Sequence, residues 1–311
     1  MPAGIIALAS FVLMMFAPAR SAATPVPFAY VDNRMTIQCR INGTGPFTMI
    51  IDTGSPDVVI DPQAANVLGL HVRGDGSVNG AGNRTVQIWA TNLREVDIGS
   101  QSFSSVPASV IDLSEIRTKL GFPHLDGVVG YSIMKRFAVA VDVDSQTISF
   151  LAQPPSTPPS ASATSFTGVI PVVAATVDGI HTTVLIDTGD RSSLTLFGPF
   201  AKEHDFYARA SQSNIITGYG LGGPVYADVL TLPSLDIFGR QLNAVVTRAS
   251  RQTAGVFTGT EQGGSIGEGV LRRFNIIFDY PKQKIIAWPS KKFAEPDRFV
   301  PPPSTPAHNA S

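Results

Sequence analysis

This chain is poor in cysteine and in charge. Of its 311 residues one is a cysteine, Cys39, 15% are Asp, Glu, Lys or Arg, and the net charge is −1. A single cysteine excludes an internal disulfide, so an exported form of this chain must rely on its core. The near-neutral balance leaves no basic stripe, and no nucleic-acid partner is expected. The five histidines, His71, His124, His181, His204 and His308, show no metal-ligand spacing, so neither a metal nor another cofactor is expected. No Gly-x-Ser-x-Gly elbow frames a nucleophilic serine. The uncharged run from Ile5 to Ala17 is too short for a comfortable membrane span. Pro18 and Arg20 follow it, then the small residues Ser21, Ala22 and Ala23. Residues 1–23 therefore read as a signal peptide, although the segment before the run has no Lys or Arg. With the signal removed, the chain is expected to be periplasmic or extracellular, with no stable membrane span; uncleaved, the segment would be an anchor. No propeptide is expected between it and a first strand at about Phe28.

Glycine and proline are plentiful, at 28 and 24 residues, as suits an all-β chain with many turns. The triplet Asp-Thr-Gly occurs twice, each time at the end of an apolar strand. The first copy is Asp52-Thr53-Gly54, followed by Ser55, and the second is Asp187-Thr188-Gly189, followed by Asp190. Each is preceded by a hairpin signal, Asn42-Gly43 and Asp178-Gly179. Downstream, residues 130–137 parallel residues 267–274 at a constant offset (267 − 130 = 137). The match runs on through Asp142 and Asp279 into two alternating strands. A fixed-offset repeat of this length indicates duplication into two like lobes. The predicted organisation is a first lobe over 26–152, a Pro/Ser-rich linker over 153–165, a second lobe over 166–290 and a disordered tail over 291–311. Short helices are predicted at about 62–68 and 199–209.

Two strand-end aspartates can each be turn residues with Asx-type hydrogen bonds. A duplicated motif can also bring two carboxylates to one pseudo-twofold axis, where they cannot both ionise easily and share a proton. The doubled Asp-Thr-Gly, together with Val128-Val129-Gly130 and the weaker Ser265-Ile266-Gly267, resembles the pepsin and retroviral aspartic protease superfamily over most of residues 28–290. The resemblance implies an all-β, two-lobed fold with pseudo-twofold symmetry and a few short helices, of the kind expected of a bacterial retropepsin-like protease with both lobes in one chain. It implies Asp52 and Asp187 as the catalytic pair of an aspartic endopeptidase that activates a water between them, acting on a peptide or protein substrate without a cofactor. It implies support from Thr53, Gly54, Ser55, Thr188, Gly189 and Asp190, with the threonine hydroxyls tying the two loops together and Ser55 bonding the outer oxygen of Asp52. Substrate-covering flaps are expected at Gly80, Ala81 and Gly82 and at Gly218, Tyr219 and Gly220; plain surface hairpin tips are the other reading. Asp126 is expected to be structural. Asp190 departs from the Ser, Thr or Ala usual at its position. Turned inward and ionised it would raise the pair's pKa values; turned outward it would pair with Arg191 at the surface, the reading preferred from sequence because a buried extra charge is costly. The rival function is a catalytically silent peptide-binding or scaffolding protein on the same fold. A monomer is expected, since both motifs lie in one chain.

Overall fold

The computed structural model describes residues 24–122, 124–299 and 302. The expected signal peptide therefore lies outside the described residues. Strands and tight turns dominate, and they build three sheets.

Each lobe is a curved sheet that closes on itself. In the first, eight strands run in the order Ala29–Val31, Arg34–Ile41, Thr44–Ile51, Gly127–Val129, Val58–Ile60, Gln101–Val110, Thr85–Ile98 and Arg73–Asn79. Pairing of Arg34–Ile41 with Thr85–Ile98 closes it. The second runs Val172–Val177, Ile180–Ile186, Gly264–Ile266, Leu194–Leu196, Arg240–Ser250, Gly223–Ile237 and Gln212–Gly220, closed by Val172–Val177 on Gly223–Ile237. The sequence drives these choices. The short strands Val58–Ile60 and Leu194–Leu196 are buried throughout, as expected of central strands covered on both faces. Asn42-Gly43 and Asp178-Gly179 both have positive φ at both positions, the geometry of a two-residue hairpin turn.

The third sheet, of six strands, joins the lobes. Its order is Val26–Pro27, Thr147–Leu151, Ala138–Asp142, Phe274–Asp279, Lys284–Pro289 and Ser162–Ser165. At its centre Ala138–Asp142 pairs antiparallel with Phe274–Asp279, and Ala140 faces Ile277. These two residues are equivalents in the 137-residue repeat, so the pseudo-twofold axis passes through their pair. The register of one strand pair thus superposes the two halves of the sequence.

Helices fall near their predicted places, at Pro62–Val67 and Gly198–Glu203, the latter followed by a 3-10 turn Phe206–Arg209. Asp61 caps the first, accepting a hydrogen bond from the Gln63 amide. Two boundaries differ from expectation. The last four residues of the predicted linker form the strand Ser162–Ser165, an outer strand of the joining sheet. Backbone pairing to Lys284–Pro289 supplies its hydrogen bonds, so the composition of this stretch matters little. The described part of the predicted tail is docked: Asp297 accepts hydrogen bonds from the Ser193 hydroxyl and the Val246 amide, and Phe293 packs edge-on against Phe274. Among the described residues no helix is long and apolar enough to cross a membrane.

Candidate active site

The two Asp-Thr-Gly loops meet at the bottom of the cleft between the lobes. Each is hung from a three-strand core of the same pattern. Ile51 pairs in parallel with Val129, and Ile186 with Ile266. The Asp52 amide donates to the Val129 carbonyl at 3.0 Å, and the Asp187 amide to the Ile266 carbonyl at 2.9 Å. The predicted partners Val128-Val129-Gly130 and Ser265-Ile266-Gly267 therefore do thread beside the loops. Both Gly130 and Gly267 run so close to the opposing backbone that a Cβ on either would strike carbonyl oxygens, of Asp57 and Ser55 in one lobe and of Asp190 and Ser192 in the other. Asp126 is structural in the described geometry, its carboxylate accepting from the Thr48 amide at 2.8 Å.

The threonines lock the loops together. Thr53 Oγ1 donates to the Ile186 carbonyl at 2.7 Å and accepts from the Thr188 amide at 3.0 Å. Thr188 Oγ1 returns both bonds, to the Ile51 carbonyl at 2.8 Å and from the Thr53 amide at 3.0 Å. All four bonds are buried and all cross between lobes, so the relative position of the aspartates is fixed by a closed ring of hydrogen bonds.

The glycines bring each loop against the other's carboxylate. A Cβ on Gly54 would lie 2.7 Å from Cγ of Asp187, and one on Gly189 2.5 Å from Cγ of Asp52. No other residue fits there. Asp52 Oδ1 accepts the Gly54 amide at 2.7 Å, and Asp187 Oδ1 accepts those of Gly189 and Asp190 at 2.8 and 3.1 Å. The two carboxyls line the same cavity and each bears on the other's proton affinity. Burial pushes both upward from the ordinary carboxylate range. Asp187 is raised well above it, with the charges of Asp52 and Asp190 adding to burial. Asp52 rises too, opposed by its interaction with Asp187, the Gly54 amide and Arg34. The pair therefore retains a proton to higher pH than isolated carboxylates would, and that proton belongs to both.

Two expectations about the fourth motif residue are corrected. Ser55 does not bond Asp52; its hydroxyl donates to the Asp57 carbonyl at 2.9 Å, bracing its own loop. Asp190 does not turn outward to Arg191. It is 8% exposed and accepts hydrogen bonds from Arg248 Nη2 at 2.9 and 2.8 Å, from the Ser192 amide and hydroxyl, and from Thr195. Burial acts to raise its pKa, but Arg248, the Ser192 bonds and Arg34 prevail and hold it below the ordinary range. The cost of burying this charge is offset by a partner and by hydrogen bonds. Arg191 pairs instead with Asp32 at 2.8 Å, which also binds Arg34, and Arg34 Nε donates to the Gly189 carbonyl at 2.6 Å. Arg34 and Arg248 escaped the sequence reading. The one available signal was an arginine within the apolar end of the strand Arg240–Ser250, where burial demands a partner.

A hairpin stands at each of the two expected flap positions, and the tips of the two hairpins meet. The first is the hairpin of Arg73–Asn79 and Thr85–Ile98, the second that of Gln212–Gly220 and Gly223–Ile237. At their tips the Gly82 amide donates to the Leu221 carbonyl at 2.8 Å and the Arg84 amide to Gly222 at 3.0 Å. The first flap is also tied to the second lobe beyond the flap: Gly80 accepts from the Val256 amide, Ala81 from Gln252 Nε2, and Asn83 from the Thr253 and Ala254 amides. Gly220 and Ala81 come into close approach. Gly218 and Tyr219 line the cavity below, and the Tyr219 ring packs on the apolar wall of the first lobe. The cavity measures about 480 Å³, with Asp52 and Asp187 among its lining residues.

Comparison with known proteins agrees with this architecture. A family model described as aspartyl protease matches residues 37–133, within the first lobe. The fold is similar to that of an aspartic proteinase from Irpex lacteus, at a TM-score of 0.58 and 14% identity, covering 89% of this chain and all of that one. A retropepsin-like aspartic protease from Rickettsia conorii is also similar, at 18% identity and a TM-score of 0.31, covering 41% of this chain and 89% of that one. No curated protein matches. The likeness to the Irpex lacteus proteinase shows the two-lobed fold, and the aspartyl protease family match lies within the first lobe.

Proposed function

We propose that this chain is an aspartic endopeptidase whose catalytic pair is Asp52 and Asp187. The aspartyl protease family match within the first lobe and the two-lobed fold favour aspartic protease activity in general terms. The observation that carries the finer reading is the pair of proton-retaining carboxyls held together by the buried threonine ring at a pseudo-twofold axis, lining one cavity beneath the two hairpins.

With one proton between them, the ionised carboxylate takes a proton from a water held between the two. The water oxygen attacks the carbonyl carbon of the scissile peptide while the protonated carboxyl donates to the carbonyl oxygen. The tetrahedral diol that results carries no bond to the enzyme. Its collapse breaks the C–N bond as a proton passes to the leaving nitrogen, and the pair returns to its singly protonated state. Gly54 and Gly189 amides hold the inner oxygens, the threonine ring holds the loops, and the flaps exclude water. Peptides would lie extended across both loops, bonding through their backbones. An extra carboxylate beside the pair would suit a silent, peptide-binding cleft, but the ion pair with Arg248 ties Asp190 away from the two aspartates. On the sequence of residues 1–23 the same proposal has the chain exported, and on the presence of both motifs in one chain it has the enzyme working as a monomer.

Cleavage of a complex peptide mixture from about pH 3 to about 7.5 tests this, the wild type beside Asp52→Asn. Wild-type cleavages should fall by about a thousandfold or more in the variant. Identical products from the two folded proteins would leave peptide binding as the function.

A further inference from the structure

The two ends of the cavity are chemically unlike. Strand register identifies equivalent positions in the lobes. Val59 pairs with Ser109 and Val128 in the first lobe, where Thr195 pairs with Arg248 and Ser265 in the second. Val59, Ser109, Ile111 and Leu113 line the cavity from the first lobe, whereas Arg248, Val225 and Phe257 line it from the second.

Arg248 is 4% exposed. Its Nη2 is committed to Asp190, and Nε and Nη2 to Thr195 Oγ1 at 3.0 and 2.6 Å. Among the described residues its Nη1 donates no hydrogen bond. Nη1 lies 3.5 Å from the place a Cβ on Gly218 would occupy, under the second flap. A buried guanidinium with an uncommitted amino group rewards an acceptor brought by a ligand, and it penalises an apolar group that displaces water without replacing its bond. Since Asp190 already balances the charge, the acceptor need not be ionised.

We propose, on the reading of the cleft as a peptide-binding site, that Arg248 Nη1 is a specificity determinant that accepts a substrate side chain ending in a carboxamide or carboxylate oxygen, on the side of the scissile bond held by the second lobe. The first lobe takes an apolar side chain across from it. The methylenes of a glutamine or glutamate would lie against Val225 and Phe257, with the side-chain oxygen on Nη1.

Peptides that differ only by glutamine, glutamate or methionine at that position give the test. Cleavage by the wild type and binding to Asp52→Asn, read by fluorescence anisotropy, are measured in parallel. The expected preference for glutamine or glutamate over methionine is about tenfold in both readouts. Gly218→Ala places a methyl group over Nη1 at an ordinary contact distance and should bring the ratio towards one. A ratio of one or below in the unsubstituted binding site, or a ratio unmoved by Gly218→Ala, overturns the proposal. Absent cleavage with the binding preference intact would defeat the peptidase reading and uphold the subsite.

Discussion

The two lobes share strand order, motif and register, yet they hold their aspartates by different means. In the first lobe the loop is braced by neutral contacts: Ser55 bonds the Asp57 carbonyl, and Val59 and Ser109 stand where the second lobe has Thr195 and Arg248. In the second the equivalent positions carry a buried ion pair, Asp190 and Arg248, with Thr195 between them. Among the described residues, most of the buried polar side chains lie in the second half. The lesson is that a duplicated fold fixes backbone positions strictly and leaves the chemistry behind them free, provided each buried charge keeps its partner.

The largest effect should come from erasing that difference. Asp190→Ser gives both lobes the same motif but strands Arg248 in the interior, at a cost of about 3–5 kcal/mol. Urea denaturation should show it. The triple substitution Asp190→Ser, Thr195→Val and Arg248→Ser copies the first lobe's set, removes both charges and should be more stable than the single variant. A triple variant less stable than Asp190→Ser would break the equivalence drawn here.

The glycines mark what the lobes have in common. Gly54→Ala and Gly189→Ala each drive a methyl into the opposite aspartate. Each should lower kcat by about a hundredfold, since displacement of a reacting group by an ångström costs that much. Matching losses in the two variants would sharpen the symmetry; a loss in one alone would break it.

Glu268, at the position of Tyr131 in the repeat, is a second asymmetry. It is 1% exposed and accepts a hydrogen bond from the Tyr30 hydroxyl at 3.3 Å. Burial pushes it up to about 8 from its ordinary 4.5. A carboxyl raised in the folded state gives stability that is fully present below its unfolded value and is lost as pH rises through the folded one. Asp190, held low, is ionised in both states above about pH 5 and contributes no slope there. The wild type should therefore lose stability between about pH 5 and pH 8, with the raised Asp52–Asp187 pair adding to that loss, and Glu268→Gln should reduce it without removing it, as denaturation at the two pH values would show. The smallest effect concerns Ser265, the counterpart of Val128, whose buried hydroxyl has no partner among the described residues. Ser265→Ala should stabilise by about 1 kcal/mol, measured the same way.

Much of this was legible in the sequence where the signal is local. The doubled triplet, the hairpin pairs Asn42-Gly43 and Asp178-Gly179, the flap glycines and the helix at Pro62–Val67 are each set by a few adjacent residues. The partners of Asp190 were not legible. Arg248 lies far along the chain and reaches Asp190 only because Leu194–Leu196 pairs in parallel with Arg240–Ser250, a register that composition does not encode. Local cost alone argued for turning Asp190 outward, and tertiary compensation reversed it. Ser162–Ser165 was hidden for a like reason: an outer strand takes its hydrogen bonds from a neighbour, so it can be spelled in linker residues. Asp297, in a polar stretch that read as a tail, is held by Ser193 and Val246 from distant segments.

The pairing of Ala140 with Ile277 on the symmetry axis has a consequence for side-chain size. In an assembly of two identical halves, the residue on the axis must face itself, so small meets small or large meets large. In one chain that carries both halves, that restriction is absent. A methyl sits opposite a sec-butyl group, a pairing of unlike sizes that no homodimer can reach at this point.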